Sequence, residues 1–264
     1  MLFGPARAVA LNLSSMRIAA VVITKNEERN IEACLRSVHW ADEAIVVDAC
    51  SEDRTVSLAR RHTDKVFIRP WPGFGPQKNY GIDQAAADWI LILDADERVP
   101  EALRDEIIAT IRHPAVQVGF EIPRRNVFYG RPIRGGGLYP DYQLRLLRRT
   151  QARYDSGHPV HEIVKLAGAA GYLSTPLIHI NYETVTEFIA KQKYYAAYDA
   201  QGLAAAGVRA KARHFLLQPL RHFYWRWIQL AGWRGGWHSL RLSLLMSYFE
   251  YEKYRILANV NHQC

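Results

Sequence analysis

Cysteine is scarce in this chain. Cys34, Cys50 and Cys264 are the only three among 264 residues, and they stand far apart, too few and too scattered for a disulfide framework or a clustered thiolate metal site. A reducing, cytosolic compartment is the expectation. Long apolar runs are also missing: none approaches the ~18 residues that read as a membrane-spanning helix. The short apolar run at 8–11 behind Arg7 is weak beside a secretory signal, so residues 1–15 read as an extension ahead of Met16 and carry no legible function. No GxGxxG follows the first apolar run, where ITKNEE stands from Ile23. That absence argues against a dehydrogenase and against a nucleotide-sugar-forming nucleotidyltransferase. Carboxylates are absent from one long stretch, with none between Asp199 and Glu250.

What is present points to a folded globular chain. Hydrophobic residues make up 49% and aromatics 11%, ample for a packed core and unlike a disordered composition. The formal charge of +8, from 34 basic and 26 acidic residues, favours an anionic partner: nucleic acid, phosphates or acidic lipid.

The branched apolar run at 18–23 has the pattern of a strand buried on both faces. Ile31, Cys34, Leu35 and Val38 recur at helical spacing, and a second apolar run at 44–47 ends in Asp48. A helix over 55–62, a strand over 65–69, a turn-rich stretch at 71–76, a helix over 77–87 and a strand over 89–93 continue the alternation. Such β and α alternation predicts an α/β fold with a mostly parallel sheet and helices on both faces. Beyond residue 115 the pattern weakens; 143–147 reads as a strand in an acceptor-side half, and helices follow from Thr186. The predicted organisation is an extension over 1–15, a catalytic domain over 16–185 and a helical region over 186–264.

Polar clusters follow the apolar runs directly, at 24–27, 48–55 and 94–97, and open α/β sheets bind ligands at the carboxyl ends of their strands. Asp94 and Asp96 form an Asp-X-Asp pair that suits a divalent cation with positions left for diphosphate oxygens, although a solvated turn has the same composition. Asp48 suits a base N–H, and Glu27 suits ribose hydroxyls. Asp53 and Thr55 fit helix capping or ligand contact. Lys78, read as opening a helix after a Gly and Pro loop, suits a phosphate, with a surface lysine as the alternative.

The ordered series ITKNEE from Ile23, VVDACSEDRT from Val46, QKNYG from Gln77 and LDADE from Leu93 resembles the inverting, GT-A fold glycosyltransferases of family 2, over about residues 17 to 165. The YPDYQLRLLRR stretch from Tyr139 and the triplet Val160, His161, Glu162 are most similar to the lipopolysaccharide-core glucosyltransferase branch. The resemblance implies a GT-A, Rossmann-like nucleotide-diphospho-sugar transferase fold, with nucleoside contacts from Thr24 and Glu27 and a base contact from Asp48; Asn26 and Asp53 stand beside them as donor-side candidates. It implies a metal (Mg²⁺ or Mn²⁺) at Asp96 with Asp94 nearer the sugar and ribose, and the acceptor-activating base at Asp141. UDP-glucose as donor and a lipid A-core acceptor on the cytoplasmic face follow from the same likeness, with another lipid-linked glycan or a polypeptide as alternatives. Ala49 and Cys50 depart from the Ser and Gly more usual after Asp48.

Inverting transfer needs one general base at the acceptor hydroxyl. Asp141 is the first candidate and Glu162 the second, while His161 suits the metal, the diphosphate or a purely structural hydrogen bond. Lys78 or Arg145 suits the charge developing on the leaving diphosphate.

Arg209, Lys211, Arg213, Arg221, Arg226, Arg234 and Arg241 fall in the acid-free stretch, interleaved with Trp225, Trp227, Trp233 and Trp237. Indole rings favour the headgroup level of a bilayer and basic residues favour anionic lipid, so a monotopic association with a membrane surface is expected, and the resemblance implies that this is the cytoplasmic face of the inner membrane. Packing on the catalytic domain would use the same residues. Single-stranded nucleic acid is the rival partner for such a surface, but it leaves the carboxylate clusters unexplained and is not expected. Oligomeric state is not legible.

Overall fold

A computed structural model describes residues 16–112, 116–155 and 163–263. Two compact units emerge. The first runs as far as Ile122 and resumes over Gln143–Leu177; the second gathers Pro123–Tyr142 and the chain from Ile178 on.

In the first unit, β1 (Ile18–Thr24), β2 (Glu43–Asp48), β3 (Val66–Ile68) and β4 (Trp89–Asp94) alternate with α1 (Ile31–Ser37), α2 (Thr55–Ala59) and α3 (Phe74–Gln84). β1 pairs in parallel with β2 on one side and β4 on the other, and β2 pairs in parallel with β3. Every residue of β1 is buried. Successive strand side chains point to opposite faces, and here Ala20 and Val22 enter one apolar cluster while Ala19, Val21 and Ile23 enter the other. That two-faced burial is why the run is continuous and not alternating. Each such buried Val or Ile contributes ~1.5–3 kcal/mol relative to exposure.

The first cluster takes Ile31, Cys34 and Leu35 from α1, and Leu103, Ile107 and Ile111 from α4 (Glu101–Arg112). The opposite cluster takes Ile82 from α3. α3 lies close to the sheet because residue 81 is glycine: a Cβ there would stand 2.3 Å from Val21 Cγ1.

A two-residue strand, β5 (Glu97–Arg98), follows β4 after a turn at Ala95 and Asp96. β6 (Gly119–Phe128), β7 (Arg131–Pro132), β8 (Asp141–Arg148), β9 (Ala152–Tyr154), β10 (Val164–Leu166), β11 (Ala170–Tyr172) and β12 (Leu177–Tyr182) come next. β8 lies antiparallel to β4, with Ile90 opposite Leu147, so the sheet is mixed beyond its parallel β1–β4 portion. β6, β8 and β12 each continue from one unit into the other.

In the second unit β6 turns into β7 through Tyr129 and Gly130, both at positive φ, the backbone that a two-residue hairpin with native twist requires. α5 (Val185–Ala205) starts at a capping box: Thr184 accepts from the Glu187 N–H and the Glu187 carboxylate accepts from the Thr184 N–H, a motif that satisfies two otherwise orphaned donors. α6 (Ala212–Tyr224), a π-helical turn at Trp225–Gln229 and a 3₁₀ turn at Gly232–Gly235 lead into α7 (Gly236–Gln263). Phe128, Tyr182, Phe188, Leu242 and Phe249 form the core of this unit. α6 has no buried residue.

Candidate functional site

Three loops at the carboxyl ends of β1, β2 and β4 hold most of the expected donor-side residues, as the strand order requires: Thr24 is the register partner of Asp48, and Ile23 of Asp94. The β1 and β2 loops are bound to each other. Asn26 donates its N–H to Ser51 Oγ at 2.8 Å and accepts the Glu52 N–H on its side-chain oxygen at 2.9 Å. The Glu27 N–H reaches Thr55 Oγ1 at 2.7 Å, and the Glu28 N–H reaches Asp53 Oδ2 at 3.1 Å.

Asp53 stands one residue before the N-cap position of α2, which Arg54 occupies without a side-chain cap, and its carboxylate also accepts the Thr55 N–H at 2.9 Å. It thus braces the β1 loop through Glu28 and also satisfies the first N–H of α2. Burial by itself would raise the Asp53 pKa, but hydrogen bonds from Thr55 and Glu28 outweigh it and hold the carboxyl below its ordinary value.

Asp48 is fully buried and closes its own loop, accepting the Ser51 N–H on Oδ1 at 2.8 Å and the Ser51 hydroxyl on Oδ2 at 2.5 Å. Cys50, inside that loop, adopts φ +59°. The left-handed region costs a side-chain-bearing residue roughly 1–2 kcal/mol, a cost that a glycine at this place would not bear. The buried Thr24 hydroxyl has no hydrogen-bond partner among the described residues, and neither has Oε1 of the fully buried Gln77.

At the end of β4 lies a buried ionic cluster. Arg145, on β8, donates from Nη2 to Asp94 Oδ2 at 2.5 Å and to Glu97 Oε1 at 2.8 Å; Glu97 Oε2 accepts the Asp94 N–H at 2.9 Å. Lys78 Nζ stands 3.4 Å from Asp94 Oδ1, with the rings of Tyr154 and Phe74 at 5.4 and 5.8 Å. Lys78 and Glu97 are fully buried. The expected position of Lys78 at a helix start is corrected here. α3 begins at Phe74 with Gly73 as N-cap, proline being tolerated in the first helical turn, and Lys78 lies a turn further in.

The motif from Gln77 is thus read residue by residue. Gln77 donates to the Val47 carbonyl at 3.3 Å, and Lys78 meets Asp94. Asn79 exchanges two 2.9 Å hydrogen bonds with the Tyr154 backbone, and Gly81 admits Val21.

Asp96 follows in the turn after β4. The donor set at the Asp-X-Asp pair is oxygen only, which suits Mg²⁺ or Mn²⁺ and not a soft metal. One or two carboxylates completed by substrate phosphates is how Mg²⁺ is usually held. The residues present fit such an ion. Burial pushes the thiol pKa of Cys34, on the adjoining helix, up, so it stays neutral.

Asp141, in the second unit, is gripped by Arg124: Nε and Nη2 both donate to Oδ2, at 2.9 and 2.6 Å. His161 and Glu162 lie outside the described residues. Sequence reasoning missed Glu97, Gln77 and Arg124. Glu97 had a signal, a third carboxylate within LDADE, whereas Arg124 had none, since its partner is 17 residues away.

Several known proteins are similar to this chain. Lipopolysaccharide core biosynthesis glycosyltransferase LpsC of Rhizobium meliloti is 27% identical over 230 residues, 85% of this chain and 85% of that protein. An uncharacterized glycosyltransferase of Rickettsia bellii is 26% identical over 266 residues, 96% and 90% of the two chains. The mannosyltransferase PcManGT from Pyrobaculum calidifontis, solved with GDP-Man and Mn²⁺, has the same fold at TM-score 0.52 and 15% identity, covering 94% of this chain and 89% of that one. The family model for glycosyl transferase family 2 matches residues 19–168, a span that takes in every strand-end loop described above, and the chain belongs to that family of nucleotide-sugar glycosyltransferases.

Proposed function

We propose that the protein transfers a hexose, with inversion, from UDP-glucose to a lipid-linked glycan at the cytoplasmic face of the inner membrane, in assembly of a lipopolysaccharide core. The observation that carries this reading is the Lys78–Asp94–Arg145–Glu97 cluster at the end of β4, largely buried and next in the chain to Asp96. The name of the R. meliloti relative supports the lipopolysaccharide assignment.

Asp96, with Asp94 behind it, would hold Mg²⁺ or Mn²⁺, which when bound supplies Lewis-acid stabilisation to the leaving diphosphate. Lys78 and Arg145 fix the Asp94 carboxylate in one orientation, and Asp48, buried and bonded to Ser51, shapes the braced β2 loop that would flank the nucleoside with Thr24. Asp141 takes the proton from the attacking acceptor hydroxyl. Arg124 holds the Asp141 carboxylate in place through Nε and Nη2. No covalent enzyme intermediate enters an inverting displacement.

Membrane attachment is assigned to the second unit. Leu216, Leu217, Leu220 and Tyr224 are more than half exposed and recur at helical spacing along α6, with exposed Arg213 and Arg221 on the same helix and Trp237 at 74% exposure nearby in sequence. No helix among the described residues is long and apolar enough to cross a membrane, so this face would lie on the surface.

Calorimetric titration of UDP, ADP and GDP with and without Mn²⁺, repeated with Asp96→Ala, tests the donor assignment. UDP should bind only with metal, and the variant should lose it; absence of binding by any nucleotide to folded protein would overturn the reading. For the surface, Leu217→Asp with Leu220→Asp should cut co-sedimentation with anionic vesicles severalfold while UDP binding persists. Undiminished co-sedimentation would remove α6 as the attachment face.

A further inference from the structure

The second unit encloses a cavity of about 720 Å³, within the range typical of small-ligand pockets. Its wall has three arginines, Arg125, Arg134 and Arg234, and no carboxylate. None of the three forms an ion pair among the described residues, although Arg124, next to Arg125, is bound to Asp141 at 2.6 Å. Arg125 stands 5.7 Å from the ring of Tyr139, another wall residue. Three guanidinium groups around one concavity without a counter-charge repel one another, and a doubly charged oxyanion offsets that repulsion better than a single carboxylate.

The wall is built, not incidental. Gly135, Gly136 and Gly137 all adopt positive φ. The Gly136 N–H donates to the Leu230 carbonyl at 2.8 Å, and Arg226 donates to the Gly136 carbonyl at 2.8 Å. A Cβ on Gly135 would lie 2.4 Å from the Ala231 carbonyl oxygen. Backbone therefore packs on backbone, and the loop holding Arg134 is fixed against the segment holding Arg234.

The cavity also lies in the same unit as the candidate base, and two of its wall residues, Arg125 and Pro140, are chain neighbours of Arg124 and Asp141.

We infer that this cavity binds a phosphoryl group on the acceptor glycan, so that the acceptor is a phosphorylated sugar whose free hydroxyl is presented to Asp141. The inference rests on the acceptor reading above and names its chemical class. A lipid headgroup carries the same phosphoryl chemistry, so the test separates the two sources.

Glucose 6-phosphate, with glucose as the neutral control, is titrated calorimetrically into the full chain without donor or metal. The titration is repeated on Arg125→Gln, Arg134→Gln and Arg234→Gln, all at exposed positions. Vesicles with and without phosphatidylglycerol form a parallel arm. Glucose 6-phosphate should bind and glucose should not. Each variant should weaken binding about tenfold or more, as loss of a charge-assisted hydrogen bond does, with UDP and Mn²⁺ binding unchanged.

Equal binding of glucose and its phosphate, or variants that bind like the parent, would overturn the inference. Arginine-dependent binding to phosphatidylglycerol vesicles without glucose 6-phosphate binding would assign the cavity to a headgroup and overturn the glycan attribution. Because neither donor nor metal is present, the phosphate result stands apart from any failure of sugar transfer.

Discussion

Arg145→Met removes the cation that joins Asp94 to Glu97 while keeping an unbranched side chain in a buried position. At an effective dielectric of about 20, each of the contacts at 2.5 and 2.8 Å corresponds to roughly 6 kcal/mol of Coulomb attraction. Desolvation of the ions cancels much of that. What remains after deleting one partner of a buried pair is a net loss of ~3–5 kcal/mol. Glu97 has no exposure and cannot recover solvation, so the upper part of that range is expected. With a urea m-value of about 3 kcal/mol/M, the midpoint falls by roughly 1–1.7 M.

The assay is urea denaturation followed by tryptophan fluorescence, for the parent, Arg145→Met, Glu97→Gln and the double variant. If the penalty is the stranded Glu97 charge, the double variant is more stable than Arg145→Met, with an interaction energy of about 2–3 kcal/mol, within the range measured for residues sharing one network. A loss under about 1 kcal/mol in Arg145→Met, or a double variant equal to the sum of the single losses, would refute the cluster as a coupled buried unit.

Two further outcomes are expected. Gly81→Ala drives a methyl to 2.3 Å from Val21 Cγ1 and 3.1 Å from Val47 Cγ2, so overpacking should cost ~1–3 kcal/mol in urea denaturation despite alanine's better helix propensity; an unchanged midpoint would mean that α3 can lift from the sheet. His222 is driven down to a pKa of about 4, first by burial and then by the neighbouring Arg226 charge, with Lys253 adding and Glu250 opposing. The folded imidazole therefore stays neutral while the unfolded chain takes up a proton near ~6.5. Stability should rise with pH between about 4 and 6.5 and level off above. His222→Gln should flatten that rise, and a slope equal to the parent's would exclude His222 as its source.

The donor half of the molecule was legible because its physics is local. β1, β2 and β4 are buried on both faces, so each is a continuous apolar run, and the polar residues that end them mark one sheet edge. Legibility failed where the determinant was tertiary. α3 was expected at Gln77 because Gly73, Gly75 and Pro76 read as turn; the chain instead enters the helix at Phe74, with Gly73 at φ +109°. That displacement of a turn separates an exposed Lys78 from a buried one. α2 ends at Ala59, short of the expected residue 62. The two residues of β5 are too few for any periodicity, and Arg124 and Asp141 meet only through β6 and β8.

The charge arithmetic of the buried cluster bears on how the Asp-X-Asp pair divides its work. Lys78 and Arg145 oppose Asp94 and Glu97, so the formal charges of these four side chains sum to zero. To grip a phosphate Arg145 would have to leave the fully buried Glu97, and Lys78, itself fully buried with ring faces within 6 Å, would have to leave Asp94. Desolvated carboxylates do not tolerate that. The two cations are therefore better suited to holding Asp94 still than to binding substrate. Positive charge for the diphosphate would then come from elsewhere, and on the proposed reading from a divalent ion that Asp96 would hold without unmaking the cluster.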